Sequence, residues 1–192
     1  MYENPNIPTL YGEISSNFLD KAENISLLIC DVDGVLSDRI IYSSFDGNEI
    51  KPFHARDGYG IRSLLKNNIK VAIITGRTSK LLKIYCDIIG IDLLYQEQTN
   101  KVIPFNIIIE KLNLEKYQIA YIGDDLIDLP VMKLVGLNIA VKDAHPLVKV
   151  QSTYITQNNG GNGAIREICD LLLLAQGKLH EKYDSYLMNF NK

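Results

Sequence analysis

The sequence lacks any apolar segment long enough to cross a bilayer. Its longest strictly apolar runs, such as residues 171–175, fall far short of the ~20 residues that a membrane-spanning helix needs. The first ten residues have neither the basic start nor the apolar centre of a secretory signal. These absences argue against a membrane or secreted protein, and we expect a cytoplasmic location.

Cysteine is also scarce. The three cysteines, Cys30, Cys86 and Cys169, are odd in number, and each lies inside an apolar run. A disulfide framework needs paired cysteines, so this pattern favours reduced core residues in a reducing compartment. A reactive thiol is the alternative, but no histidine lies near any of them in sequence. The three histidines of the chain are scattered and lack the spacing of metal ligands.

Basic residues are not in excess, which argues against a nucleic-acid partner. Lys and Arg number 20 against 23 Asp and Glu, giving a net charge of −3. There are no repeats, low-complexity segments or interdomain linkers. The length of 192 residues and the 46% hydrophobic content fit one domain spanning residues 1–192. From about residue 178 the chain is polar and contains tyrosines, which predicts a mobile tail.

Short apolar runs alternate with helical patterns along most of the chain. The runs with little polar alternation predict buried parallel strands at 26–30, 70–74, 93–95, 118–122 and 138–141. Helical patterns occupy 58–66, 79–89, 102–112 and 165–175. This alternation predicts an α/β fold in which helices flank a parallel sheet.

One segment after the first predicted strand breaks the alternation. Residues 39–43 and 49–53 flank a turn that contains Asp46 and Gly47, which predicts a β-hairpin. The hairpin carries the apolar residues Ile40, Ile41 and Tyr42. They fit either the core or an oligomer contact, and the contact is at least as plausible for an excursion from a small sheet.

The most informative motif is Asp31-Val32-Asp33-Gly34, at the end of the first predicted strand. Residues i and i+2 of an extended chain point the same way, so both carboxylates can face one substrate. One can attack as a nucleophile and form an aspartyl-phosphate, while the other donates a proton to the leaving oxygen and later activates water. A solvated acidic loop is the alternative interpretation.

Two further segments suit a phosphate group. Thr75, Gly76 and Arg77 follow the second strand, where a hydroxyl and free backbone N–H groups can bind phosphate. Taken alone, they fit a helix N-cap better. Lys101 precedes a helix and can supply a point charge to a phosphoryl group. By itself it is most simply a surface lysine.

A second acidic group, Asp124, Asp125 and Asp128, follows the third strand. Carboxylates that meet at the carboxyl ends of parallel strands repel each other, and Mg²⁺ relieves that repulsion. We expect the Asp31 carboxylate, the Asp33 backbone carbonyl and the Asp124 carboxylate to bind Mg²⁺. Asp125 and Asp128 are expected to hold metal-bound waters or neighbouring backbone. Acids at a helix start are the alternative, which explains one of these carboxylates but not all.

The order of these motifs resembles the haloacid dehalogenase superfamily, which has D-x-D, then Thr, then Lys, then G-D-D-x-x-D. Neither gap between the first three motifs has room for a large cap domain beyond the hairpin. The resemblance therefore implies a capless, Rossmann-like hydrolase. It assigns catalysis to Asp31, Asp33, Thr75 and Lys101.

A finer resemblance covers about residues 11–179. It is to the family of 3-deoxy-D-manno-octulosonate 8-phosphate phosphatases of lipopolysaccharide synthesis, and it rests on residues 31–38, 56–61, 74–77, 123–128, 143–146 and 166–170. It implies a Mg²⁺ cofactor and a homotetramer, in which the hairpin and the C-terminal part shield a neighbouring subunit's site. It implies substrate contacts from Asp33, His54, Ala55, Arg56, Asp57, Gly58, Arg62, Thr75, Gly76, Arg77 and Lys101.

Two positions depart from the pattern of this family. Tyr85 and Asn162 stand where its members usually have arginines, one of which helps to bind substrate, and similar enzymes act on other phosphorylated nine-carbon sugar acids. Asn162 belongs to a glycine-rich segment, 160–163, that fits either a phosphate-binding nest or a plain loop. The other candidate functions are a phosphomutase, which needs a cap to exclude water, and a non-catalytic subunit. The intact motifs argue against the latter.

Overall fold

The computed structural model describes residues 5–179, and its centre is a six-stranded parallel sheet with strand order β10-β9-β8-β3-β6-β7. The strands are β3 (Leu27–Cys30), β6 (Lys70–Ile74), β7 (Leu93–Tyr95), β8 (Ile119–Gly123), β9 (Leu137–Ala140) and β10 (Tyr154–Ile155). The predicted fold class is confirmed. The predicted mobile tail lies outside the described residues from residue 180 onward.

Helices cover this sheet. They are α1 (Ser16–Glu23), α2 (Ala55–Lys66), α3 (Lys80–Ile89), α4 (Val102–Leu112), α5 (Leu129–Met132), α6 (Pro146–Val150) and α7 (Ala164–Ala175). The prediction for α4 was correct at both ends, while α2 begins three residues before its predicted start. Among the helices of residues 5–179, none is both long and apolar enough to cross a membrane.

Burial on both faces explains why the strands read as continuous apolar runs. All four residues of β3 are fully buried, and the neighbouring β6 and β8 are nearly so. The three cysteines are buried and free of disulfides, as predicted.

The order in which the chain adds strands to the sheet reverses at β3. From β3 the chain adds β6 and β7 on one side, then returns to add β8, β9 and β10 on the other. The carboxyl ends of β3, β6 and β8 therefore lie side by side at the switch point, which is where open α/β sheets bind ligands. The three predicted motifs follow these three strands.

Two small hairpins lie outside the main sheet. The N-terminal one, β1 (Asn6–Thr9) with β2 (Gly12–Ser15), was not predicted. The second is the predicted hairpin, but its strands β4 (Tyr42–Ser43) and β5 (Glu49–Ile50) are only two residues long. Such a short ladder is marginally stable alone, so its position depends on side-chain contacts with the rest of the fold.

The segment before α7 packs directly on the loop that follows β3. The Gly161 N–H donates to the Val35 carbonyl at 2.8 Å, and a Cβ at Gly160 would overlap with the carbonyl group of Gly34. This close approach accounts for Gly160 and Gly161, while Gly163 has a left-handed backbone with φ of 102°. Residue Glu167 of α7 is buried and accepts hydrogen bonds from the backbone N–H groups of Gln157 and Asn158, which fixes the segment.

We predict that Gly160→Ala destabilises the fold by about 3 kcal/mol, since overpacking at a backbone contact leaves no flexible side chain to yield. Urea unfolding followed by circular dichroism measures the change. Gly76→Ala is the matched control, because its Cβ would meet only the Gln98 carbonyl oxygen at 3.9 Å. Equal stability of the two variants would contradict this account of the loop contact.

Candidate active site

Asp31 stands at the carboxyl end of the central strand β3 and is 6% exposed. Its Oδ1 accepts a hydrogen bond from the Val32 N–H at 2.7 Å and lies 2.9 Å from the Lys101 ammonium. The carboxylate is thus fixed by its own backbone and paired with a cation.

Asp33 lies beside Asp31 at the mouth of the cleft and is half-exposed. Its Oδ1 forms an ion pair with the Lys51 ammonium, which comes from the hairpin segment and is nearly buried. Sequence reasoning missed Lys51, because no local pattern indicates that the hairpin folds back onto its own D-x-D loop. The hairpin also reaches α3, where Ser79 donates a hydrogen bond to Glu49.

Thr75, Gly76 and Arg77 follow β6 at the adjacent strand end. Thr75 is buried, and its backbone N–H donates to the Tyr95 carbonyl at 2.9 Å. The N-cap of the next helix is Ser79, whose hydroxyl accepts from the Leu82 N–H. The alternative interpretation of Thr75 as a helix cap is therefore wrong.

Lys101 is a buried residue rather than a surface lysine, with 2% of its area exposed. Its ammonium lies between two carboxylates, 2.9 Å from Asp31 and 2.7 Å from Asp128. These two carboxylates raise the pKa of Lys101 despite its burial. The residue is therefore a fixed positive charge in the cleft.

Asp128 is the most heavily hydrogen-bonded carboxylate of the site. Its Oδ1 accepts from Lys101 and, at 2.6 Å, from the buried hydroxyl of Tyr121. Its Oδ2 accepts from the backbone N–H groups of Asp124 and Asp125. The sequence predicted that Asp128 binds either metal-bound waters or neighbouring backbone, and these two hydrogen bonds are to neighbouring backbone. The side chain of Asp125 caps the short 3₁₀ helix Leu126–Asp128, which agrees with the helix-start alternative for that residue.

Asp124 is paired with a second cation that the sequence did not reveal. The Arg39 Nε lies 2.8 Å from Asp124 Oδ2, and one of its terminal nitrogens lies 3.1 Å from Asp143. Arg39 precedes the hairpin and has a left-handed backbone with φ of 71°. No spacing signal in the sequence connects it with Asp124.

The donor set suits a hard divalent cation. Oxygens of Asp31, Asp124 and Asp128 lie within 4.8 Å of one another, and Mg²⁺ prefers such carboxylate oxygens. Both Asp128 oxygens are already occupied by hydrogen bonds, which leaves Asp31 and Asp124 as the candidate ligands. The cleft around them has a volume of about 230 Å³ and is lined by Asp31, Asp33, Arg39, Thr75, Gly76, Arg77, Lys101, Asp124, Asp125 and Ile127.

Burial and crowding raise the pKa values of two carboxyl groups. Desolvation, followed by the charge of Asp128, raises the pKa of Asp31 to about 6 although Lys101 opposes the shift. Desolvation, followed by the charges of Asp31 and Asp128, raises that of Asp124 to about 7. The site without a metal ion therefore disfavours the ionised form of both groups.

The remaining predicted substrate contacts do not line this cleft in a single chain. His54, Ala55, Arg56, Asp57 and Gly58 form the start of α2. The Asp57 carboxylate is fully buried and accepts from the backbone N–H groups that begin α7, so its oxygens are already bound.

Arg62 lies further along α2, where it donates to the Ile88 carbonyl and lines a separate groove beside α3. Its role, and those of the residues at the start of α2, stay predictions.

The two departures from the family pattern occupy ordered positions. The Tyr85 ring stacks on Phe53 with centroids 4.0 Å apart, and its hydroxyl is buried without a hydrogen-bond partner among residues 5–179. The Asn162 side chain donates to the Gly160 carbonyl within the segment that packs on the loop after β3. Neither residue supplies the positive charge of an arginine.

Comparison with known proteins agrees with this geometry. A family model described as haloacid dehalogenase-like hydrolase matches residues 91–168. The 3-deoxy-D-manno-octulosonate 8-phosphate phosphatase KdsC of Salmonella typhi is 57% identical over 175 residues, which cover 91% of this chain and 93% of the relative. The chain belongs to this phosphatase family. The resemblance predicted from the motifs is confirmed.

Solved structures of the family superpose closely on the chain. The Yersinia pestis enzyme is 51% identical and has a TM-score of 0.91, covering 92% of this chain and 96% of its own. The enzyme of Moraxella catarrhalis is 38% identical, with a TM-score of 0.84 over 90% of this chain and 97% of its own. That structure contains a magnesium ion, a phosphate ion and a KDO molecule.

We predict that the metal-free protein is more stable at pH 5.5 than at pH 7.5. A carboxyl group whose pKa is raised on folding favours the folded state most below its unfolded pKa, and this contribution is lost as the pH rises through the folded pKa. With pKa values of about 6 for Asp31 and about 7 for Asp124, we expect a loss of about 1–3 kcal/mol between these pH values.

Urea unfolding in the presence of a chelator measures this loss. Asp124→Asn is the comparison variant and should flatten the pH dependence. A wild-type stability that rises between pH 5.5 and 7.5 would contradict the assigned shifts.

Proposed function

We propose that the protein is a Mg²⁺-dependent phosphatase that hydrolyses 3-deoxy-D-manno-octulosonate 8-phosphate to the free sugar acid and phosphate. The observation that carries the proposal is the convergence of Asp31, Asp33, Lys101 and Asp124 in one cleft at the switch point of the sheet. The family relationship supports this choice of substrate, since relatives whose match covers 90% or more of the chain are named for that activity.

In the first half-reaction, Asp31 acts as the nucleophile. One of its carboxylate oxygens attacks the phosphorus, and the bond from phosphorus to the sugar oxygen breaks to leave an aspartyl-phosphate. Asp33 gives a proton to the departing sugar oxygen, so the product leaves as an alcohol. Lys101 orients Asp31 and offsets the charge that gathers on the phosphoryl oxygens.

In the second half-reaction the roles of Asp33 reverse. As a carboxylate it takes a proton from a water molecule, whose oxygen attacks the phosphorus. The bond from phosphorus to Asp31 breaks, which restores the carboxylate and releases phosphate. Thr75, Gly76 and Arg77 line the same cleft, where a hydroxyl, backbone N–H groups and a guanidinium suit phosphate oxygens.

Asp31, Asp124 and the backbone carbonyl of Asp33 would hold Mg²⁺. When bound, the ion neutralises charge on the carboxylates and on the substrate phosphate, which otherwise repel each other. Asp128 supports this arrangement indirectly, because its hydrogen bonds fix Lys101 and the backbone of Asp124.

The chain acts, in this proposal, as one hydrolase domain over residues 1–192 in the cytoplasm, in lipopolysaccharide synthesis. The three buried free cysteines support a reducing compartment. Another phosphorylated sugar acid is the second candidate substrate. Tyr85 and Asn162 keep this alternative open, since they stand where the family usually has arginines, one of which helps to bind substrate.

We predict that Asp31→Asn lowers phosphate release by several orders of magnitude, because nothing else in the cleft can replace a nucleophile. The assay measures phosphate from 3-deoxy-D-manno-octulosonate 8-phosphate and from phosphorylated nine-carbon sugar acids, with Mg²⁺. Asp38→Asn is the control, since Asp38 lies in the same loop but bonds to Tyr42 rather than to the carboxylate cluster.

Near-native turnover by the Asp31 variant would refute the mechanism. A wild-type preference for a nine-carbon substrate would instead replace the proposed substrate and leave the mechanism intact.

We also propose a homotetramer in which the hairpin covers a neighbouring chain's cleft. The support is the exposed apolar surface of the hairpin segment, where Ile40 is 61%, Ile41 69% and Ile50 52% exposed. Within its own chain the hairpin is already anchored to the cleft through Lys51 and Asp33, so the uncovered face lies near an active site.

We predict that replacing Ile40 and Ile41 together with serine dissociates the tetramer and raises the KM for the sugar-acid substrate. Small aryl phosphates should be affected less, since they do not extend to the neighbouring chain. Light scattering with steady-state kinetics tests this, with Ile84→Ser on α3 as the control for an exposed isoleucine. An active wild-type monomer would rule out the assembly.

A further inference from the structure

Arg39 has a contact that the proposed reaction does not require. Its Nε lies 2.8 Å from the Oδ2 of Asp124, a carboxylate that is only 4% exposed and that the proposed function assigns to the metal ion. The ion pair lies directly over Gly34, where a Cβ would overlap with both partners. Both residues of the pair line the cleft.

The backbone of Arg39 has an unusual conformation. Its φ of 71° lies in the left-handed region, which residues other than glycine seldom adopt. An arginine is held there by two ion pairs of its guanidinium, from Nε to Asp124 and from a terminal nitrogen to Asp143. Asp143 is itself fixed, since its Oδ1 accepts from the Gly160 N–H at 2.9 Å.

Arg39 and a metal ion cannot both bind the Asp124 carboxylate closely without repelling each other. Mg²⁺ binds carboxylate oxygens at about 2.1 Å, so an ion on Asp124 would lie close to the guanidinium. Like charges that close together in a partly buried site repel strongly. When a metal ion binds Asp124, the half-exposed Arg39 side chain can keep its second ion pair, which is with Asp143.

We infer that Arg39 is a built-in competitor of the metal ion: it neutralises Asp124 when no ion is bound and withdraws toward Asp143 when Mg²⁺ binds. This inference rests on the proposed Mg²⁺ site and makes Arg39 a positioning residue that sets the metal affinity. The protein then binds Mg²⁺ more weakly than its carboxylates alone would.

The test compares Mg²⁺ binding by the whole chain and by Arg39→Gln, using isothermal titration calorimetry with MgCl₂ alone. Glutamine keeps much of the side-chain length and removes the charge. We expect Arg39→Gln to bind Mg²⁺ about two- to fivefold more tightly, the ratio expected from loss of a half-exposed ion pair. By linkage, saturating Mg²⁺ should raise the Tm of the variant more than that of the wild type.

Three further variants make the result specific. Arg39→Lys keeps the charge and should bind Mg²⁺ with nearly the wild-type affinity. Arg77→Gln removes another cation that lines the same cleft but is not paired with Asp124 in the described part of the chain, and it should change the affinity less. Arg39→Gly, which suits the left-handed backbone, replaces Arg39→Gln if the latter does not fold.

An unchanged or weaker affinity in Arg39→Gln would overturn the inference, because Arg39 would then be organising Asp124 for the metal. Equal tightening by Arg77→Gln would also overturn it, since the effect would then be one of general charge. A wild-type protein that does not bind Mg²⁺ would refute the metal site itself, and with it the proposed function.

Discussion

The structure depends on keeping three carboxylates together at the end of the sheet. Oxygens of Asp31, Asp124 and Asp128 lie within 4.8 Å of one another and are almost completely buried. In water such groups would separate, but here their strands and loops fix them. Lys101 lies between two of them and converts part of the repulsion into attraction. Burying an ammonium is unfavourable unless its carboxylate partners are present, so Lys101, Asp31 and Asp128 stabilise one another, while Asp124 is paired with Arg39.

The division of tasks among these carboxylates follows from their hydrogen bonds. Asp128 accepts from Lys101, from Tyr121 and from two backbone N–H groups, so it has no oxygen left for chemistry. Asp31 has donors on one oxygen only in the contacts described above, which leaves the other for a reacting atom. Identical side chains thus differ in the oxygens they leave free, because the hydrogen-bond donors around them differ.

The sequence predicted those features that are local in the chain. The strand 70–74 and the helix 102–112 were correct at both ends, because continuous apolar runs and clear boundaries mark them. The start of α2 was predicted three residues late because its N-cap, His54, is not a typical capping residue and makes no side-chain cap hydrogen bond, whereas the buried Asp57 ties that turn to α7. The strand-end carboxylates were visible as motifs. Arg39 and Lys51 were not, since their partners are distant in sequence and only the folded hairpin segment brings them together.

The hairpin shows how a site without a large cap can still be closed in part. Its two-residue strands supply few backbone hydrogen bonds, so contacts made by Lys51 and Glu49 determine where it lies. One of these contacts is with Asp33, the proposed acid, whose charge changes during the reaction. A neutral Asp33 attracts Lys51 less than a carboxylate does, so the proton transfer of the proposed mechanism also weakens one tether of the hairpin. The proposed chemistry and the position of the hairpin are therefore linked through this ion pair.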